Sequence, residues 1–216
     1  FQAAVLIRCQ VENVRFVCVG EGEEGYKKSM RSLATKMGLD DILIWAGEHS
    51  NMMGVYNALD IASSSSSYGE GFPNVVGEAM SCSVPCVVTD VGDSALLVGP
   101  TGYVVPPNDS KALSSVWSEM FLLDEMEFRA KAVASRERVI SEFSINNLIT
   151  STEQLLCKEM GSAELSDGAV KDLNFFVMKK VLFLIRSLNV GGTELQIVIT
   201  AKGLAEQGYD VTVLTF

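Results

Sequence analysis

Two glutamates, Glu70 and Glu78, stand eight positions apart in SSYGEGFPNVVGEAM (residues 66–80), one before a Gly-Phe-Pro break and one inside an apolar run. A carboxylate offers only acceptors, so it holds hydroxyl groups well and repels phosphate. Pro73 suits the first position of a helix, which places a helix start near residues 73–75. Such an end carries partial positive charge and unpaired amide donors, the chemistry that seats a diphosphate. Two carboxylates flanking it would take hydroxyls on either side of the bound diphosphate, an arrangement that suits a sugar nucleotide. Spacing alone leaves a plainer alternative open, in which Glu78 complements the helix dipole and Glu70 is a solvated loop charge.

Elements able to position these groups precede and follow them. Apolar runs VRFVCVG (14–20), ILIWAG (42–47), IASSS (61–65) and PCVVTD (85–90) alternate with the helical patterns GYKKSMRSLATKMG (25–38), NMMGVYNALD (51–60) and NVVGEAMSC (74–82). This rhythm of βαβ units predicts an α/β fold with a Rossmann-like, doubly wound parallel sheet covered by helices on both faces. Ligands of such folds bind at the carboxyl edge of the sheet, where the loop carrying Glu70 falls. On the helical wheel Val75, Val76, Ala79 and Met80 form one arc predicted to face the sheet. Glu78 lies at the edge of that arc, predicted to look toward the strand ends.

Farther along, TGYVVPPNDSKAL runs from a strand into an Asn-Asp-Ser cluster that can cap a helix. Helical stretches are expected at about 110–122, 124–141 and 144–159, the last capped by Ser144. Residues 161–177 lose periodicity and read as a linker. The pattern then restarts: MKKVLFLIRSLNVGGTELQIVITAKGLAEQGYDVTVLTF reads as strand, Gly-Gly turn, helix and strand, one βαβ unit. The expected organisation is thus a domain over 1–160, a linker over 161–177 and a C-terminal unit over 178–216. The first residue falls inside a helical pattern and the last follows a strand-like run directly, so both ends read as cut.

Composition narrows the partners. The 216 residues carry 17 basic and 27 acidic side chains, a formal net charge of −10. That sign disfavours nucleic acid, whose binders neutralise many phosphates. No apolar run approaches the roughly 18 residues that span a bilayer, and VLFLI after Met178-Lys179-Lys180 is too short for a signal-peptide core. The five cysteines show no zinc-type spacing, and four lie in apolar surroundings, so they read as reduced core thiols of a cytosolic protein.

The ordered stretch EGFPNVVGEAMSCSVPCVVTDVGDSALLVGPTGYVVPPND, with VRFVCVGEG, ILIWAGE and YNALDIASSSSSYGEG upstream, closely resembles the donor-binding half of the retaining GT-B glycosyltransferases of family four. The resemblance implies transfer of a sugar from a nucleoside diphosphate sugar, with retention, in a cleft between two Rossmann-like domains. It implies that Glu78 holds the ribose, that Glu70 holds the donor sugar near the reacting carbon, and that the backbone of Gly71, Phe72, Pro73, Asn74 and Val75 approaches sugar and diphosphate. Glu70 is a substrate holder in this reading, the residue nearest the chemistry, and not a nucleophile. No cofactor or metal is implied, and the chain has no Asp-x-Asp site or histidine cluster.

Departures accompany the match. Ser83 stands where the family usually has glycine, and Asp93 replaces the second glycine of a Gly-Gly turn. The basic residues with which the family clamps the diphosphate would precede Phe1, and Lys27, Lys28 and Arg31 read as a solvated helix face. Gly20 and His49, each at a strand end, are candidates for the cleft, as is the pair Gly191-Gly192 in the C-terminal unit. That unit resembles the start of an N-terminal GT-B domain. The order is therefore reversed, as expected of two adjacent glycosyltransferase genes read as one chain, or of a circularly permuted enzyme.

The implied acceptor is a glycan or lipid-linked glycan for cell-envelope polysaccharide, with the protein cytoplasmic or peripheral to the inner face of the membrane. Two rivals remain: a GT-B sugar-nucleotide epimerase, which product analysis separates, and an inactive nucleotide-binding fragment.

Overall fold

A computed structural model describes residues 1–164, 180–185 and 192–215. The chain divides into two compact units, Phe1–Val139 and Ile140–Phe216. The first alternates helix and strand as the apolar runs predict: α1 (Gln2–Arg8), β1 (Phe16–Val19), α2 (Glu24–Lys36), β2 (Leu43–Gly47), α3 (Met52–Tyr56), β3 (Ala62–Ser64), α4 (Asn74–Ser81) and β4 (Cys86–Thr89). It continues through α5 (Ser94–Val98), a short 3-10 turn, β5 (Tyr103–Val105), α6 (Ser110–Leu122) and most of α7 (Glu125–Glu142).

Every strand pair is parallel, as the α/β reading requires: β1 with β2, β3 with β4, and β4 with β5. Among the described residues the two sets are separate ladders, because β3 is only three residues long and pairs with β4 alone. The middle strand β4 is buried along its whole length, which fits its run of Cys86, Val87 and Val88 before Thr89. Val87 packs with Ala3 and Ile7 of α1 and with Leu113, Trp117 and Met120 of α6. The Cys86 thiol instead approaches the Val76 carbonyl of α4 at 3.8 Å. Helices thus cover β4 on both faces.

A second apolar cluster, Ala4, Ala34, Leu39, Ile42 and Leu43, joins α1 and α2 to β2. Local signals end the helices where they do. Asp109 caps α6, its carboxylate accepting from the amides of Lys111 and Ala112 at 3.1 and 2.9 Å. Arginines of α7 close the carboxyl ends of two other helices. Arg136 donates to the Ser81 carbonyl of α4, and Arg138 to Leu96 and Leu97 of α5 at 2.7 and 2.9 Å.

Helix α4 ends in a Schellman motif: Val84 donates its amide to the Ala79 carbonyl at 3.0 Å and Ser83 donates to Met80 at 2.9 Å. Ser83 takes φ +60°, the left-handed conformation that suits glycine. The departure from the family's glycine therefore carries backbone strain. Ser83→Gly is expected to stabilise the fold by about 0.5–1 kcal/mol, seen as a higher urea midpoint at unchanged m-value. Asp93, by contrast, sits at φ −89° and needs no glycine.

The cysteine expectation needs correcting. None of the five is in a disulfide, yet only Cys86 is buried, whereas Cys9 and Cys157 are exposed and Cys18 and Cys82 are half-buried. Cys9 lies past the end of α1, so a sequence rich in apolar neighbours did not place it in the core. Burial pushes the Cys86 thiol up to about 12, so it stays neutral in the packed sheet.

The second unit contains α8 (Ile145–Glu164), β6 (Lys180–Ile185), α9 (Gly192–Glu206) and β7 (Asp210–Thr215). Strands β6 and β7 pair in parallel over six residues around α9, the βαβ arrangement read from the sequence. Ser144 caps α8 as expected, its hydroxyl accepting from the Asn147 amide at 3.3 Å. Helix α8 groups with these C-terminal elements, whereas the sequence reading assigned it to a domain over 1–160. Gly203 lets α9 approach α8 closely, since a Cβ there would lie 2.0 Å from the Ile149 side chain. Tyr209 completes the attachment by donating to Glu153 at 3.0 Å. The helix also runs through Glu164 into the predicted linker. The rest of that linker, Met178 and Gly191 lie outside the described residues.

Candidate functional site

Glu70 and Glu78 flank the amino end of α4, as their spacing predicts, and each is engaged by a hydroxyl that the spacing does not reveal. Pro73 is the N-cap of α4 and itself makes no side-chain cap. Glu70 lies in the loop between β3 and α4. Its carboxylate accepts a hydrogen bond of 2.5 Å from the Ser66 hydroxyl. Glu78, one turn into the helix, accepts at 2.8 Å from the phenol of Tyr56 on α3.

The wheel expectation is corrected in two respects. Val76, Ala79 and Met80 are buried, but Val75 is 57% exposed. A step of about 100° per residue carries Val75 off the buried stripe, which the spacing of 76, 79 and 80 defines. The apolar arc is thus narrower than predicted, and its amino end presents Val75 outward. Glu78 bonds to α3 at its flank, in contrast to the expected outlook toward the strand ends.

The loop carrying Glu70 is built onto the turn after β4. The buried Thr89 hydroxyl donates to the Ser66 carbonyl at 2.6 Å, and the Asp93 amide donates to the Gly71 carbonyl at 2.9 Å. Gly92 lies between them at φ +57°, so close that a Cβ would sit 2.4 Å from the Glu70 carbonyl oxygen and 2.5 Å from that of Gly71. Phe72 and Asn74 are half-buried, Pro73 is buried and Gly71 is exposed.

The Tyr56 ring is buried, with 6% exposure. That burial, reinforced by the bond to Glu78, holds its phenol well above the ordinary range. The group remains a protonated donor at any working pH. Tyr56, Ser66, Thr89 and Gly92 were not assigned from the sequence. Their partners are 22, 4 and 23 residues away for the first three, with no periodic pattern linking them.

Gly20 and His49 occupy the carboxyl ends of β1 and β2. The Gly20 amide donates to the Gly47 carbonyl at 2.8 Å, which ties the two strand ends together. His49 is exposed two residues beyond β2. Among the described residues, neither hydrogen-bonds to the 66–78 segment. Gly192 begins α9 in the other unit. Lys27 pairs with Glu21 and Glu24, and Arg31 lies over the Trp45 ring at 5.7 Å. Those two cations are therefore engaged by neighbours before α2, on α2 and on β2. Among the described residues no group of three or more His, Cys, Asp or Glu side chains could hold a metal ion.

Comparison with known proteins follows this geometry. A family model described as glycosyl transferases group 1 matches residues 1–121. The chain is 32% identical over 124 residues to the lipopolysaccharide core biosynthesis mannosyltransferase LpsB of Rhizobium meliloti (strain 1021), covering 56% of this chain and 35% of that protein. Among solved structures it resembles the sucrose-phosphate synthase of Thermosynechococcus elongatus (TM-score 0.65, 25% identity), covering 74% of this chain and 42% of that one. It also resembles HepE of Anabaena, crystallised in complex with UDP-glucose (TM-score 0.61, 22% identity), covering 74% of this chain and 44% of that one. The chain thus spans less than half the length of each of these three proteins. The likeness to solved structures identifies the fold of the matched part as the Rossmann-like α/β fold of GT-B glycosyltransferases.

Proposed function

The chain belongs to glycosyl transferases group 1, and on that premise we propose that its first unit binds the donor of a retaining GT-B glycosyltransferase of family four. The donor is a nucleoside diphosphate sugar. Glu78 accepts from the ribose hydroxyls, Glu70 accepts from hydroxyls of the transferred sugar, and the backbone from Gly71 to Val75 approaches the diphosphate at the amino end of α4. The whole protein transfers the sugar to a glycan or lipid-linked acceptor of the cell envelope, in the cytoplasm or at the inner face of the membrane. Positioning of the donor and stabilisation of the departing diphosphate supply the rate enhancement.

One observation carries this reading. A pair of carboxylates lies on either side of the first turn of α4, and each is anchored by a neighbouring hydroxyl. A solvated loop charge and a dipole-complementing glutamate would need no such anchors. The names of the relatives support the class, since one is a mannosyltransferase and another was crystallised with UDP-glucose. In the same reading β6, α9 and β7 form the first βαβ unit of a second Rossmann-like domain. No helix among the described residues is long and apolar enough to cross a membrane.

Titration with UDP- and GDP-sugars tests the proposal. Hydrogen bonds to a charged group contribute about 1.5–3 kcal/mol, so Glu78→Ala should weaken binding of the preferred donor roughly 10- to 100-fold. Equal affinity of the two proteins would rule out the ribose role.

A further inference from the structure

The bond between Tyr56 and Glu78 has chemistry beyond holding two helices together. A buried phenol needs a hydrogen-bond partner, and this one spends its proton on Glu78 Oε2 at 2.8 Å. The direction of donation is fixed because a carboxylate only accepts. Tyr56 itself is held firmly. It ends α3, whose first turn is capped by Asn51 accepting from the Gly54 amide at 3.0 Å, and its ring is buried. Glu78, in contrast, belongs to the exposed side of α4 and has a long, rotamer-rich side chain.

Fixing a free glutamate on a ligand costs up to about 2 kcal/mol of side-chain entropy. A rigid phenol that already holds one oxygen removes part of that cost before the ligand arrives. The other oxygen, Oε1, keeps its lone pairs for two further donors. A vicinal diol supplies two such donors on adjacent carbons.

We propose that Tyr56 is a positioning residue that presents Glu78 to the 2′,3′-diol of the donor's ribose, and so sets the preference for ribonucleotides at this site. The inference rests on the ribose role assigned to Glu78 above. Tyr56 touches the carboxylate and not the nucleotide, so its whole contribution passes through the diol.

The test is a ligand cycle by calorimetry, with UDP or GDP, whichever binds tighter, and its 2′,3′-dideoxy analogue. The wild-type chain should prefer the ribonucleotide. Tyr56→Phe, which keeps the ring and removes the hydroxyl, should weaken the ribonucleotide about 5- to 10-fold and leave the dideoxy analogue unchanged. In a Glu78→Ala background the same substitution should have no further effect on either ligand. Equal weakening of both ligands, as a merely structural role would give, overturns the proposal. So does an unchanged preference in Tyr56→Phe. A wild-type chain that binds both ligands equally, or binds neither nucleotide, overturns the ribose role of Glu78 itself and the inference with it.

Discussion

Gly92→Ala should lower both stability and donor affinity more than any other single methyl group added near the site. The new Cβ would meet two backbone carbonyl oxygens, those of Glu70 and Gly71, at 2.4 and 2.5 Å. Neither is the end of a flexible side chain. The Gly71 carbonyl is held by the Asp93 amide at 2.9 Å, and the Ser66 carbonyl of the same loop by Thr89 at 2.6 Å. Relief therefore means displacing the loop and breaking at least one of these bonds.

The left-handed φ of +57° adds its own penalty of about 1 kcal/mol for a residue with a Cβ. Together with a lost bond and the steric shift, the expected destabilisation is about 2–4 kcal/mol. Urea unfolding measures it directly. Because the displaced loop carries Glu70, titration with a nucleotide sugar should show weaker binding in the variant at temperatures where it remains folded. Wild-type stability together with wild-type affinity would show that the loop is not built on this turn.

Trp117→Ala should cost about 3–5 kcal/mol, the range for removing a large aromatic side chain from a core. Trp117 is 8% exposed and joins three elements. Its ring packs on Phe16 of β1 with centroids 5.1 Å apart, and its indole donates to the Ser63 hydroxyl of β3 at 2.7 Å. It belongs to the same cluster as Val87, Val105, Leu113 and Met120.

Domains of this size are stable by only about 5–15 kcal/mol, so this one truncation would bring the first unit close to unfolding. Trp117→Phe keeps most of the buried surface and loses the indole bond, for an expected cost of about 1 kcal/mol. A urea-unfolding series of the two variants checks both values. A small effect of Trp117→Ala would mean that α6 contributes little to the stability of the sheet it covers.

Much of the first unit was legible in the sequence because its signals are local. Alternating apolar runs and helices predicted parallel pairing in a sheet covered by helices, and the strand pairs are parallel with β4 buried along its length. Pro73 marked the start of α4 to within a residue, and the Asn-Asp-Ser cluster and Ser144 marked two further caps. The strain at Ser83 was half visible. The resemblance implied a glycine at its place, but its left-handed backbone was not readable.

Other readings failed where packing decides. Val75 has the same apolar chemistry as Val76, and only the angle of α4 on the sheet separates the exposed one from the buried one. Cys9 and Cys157 have apolar neighbours in sequence, yet their side chains are exposed. The packing of α8 on α9 was not legible either, because nothing in its periodicity names Gly203 as the surface it meets.

By itself the sequence determined that one carboxylate would precede, and another lie one turn inside, a helix that starts after a proline at a strand-following loop. Residue type, spacing and helical period fix those relations along the chain. Only the tertiary structure decided what holds the two carboxylates. Tyr56 reaches Glu78 across 22 residues, Thr89 reaches the Ser66 carbonyl across 23, and Gly92 meets the backbone of Glu70 and Gly71. These partners are brought together by the crossing of α3 on α4 and by the pairing of β3 with β4. Contacts made by packing separate elements leave no period in the sequence, and so they become readable only once the chain is folded.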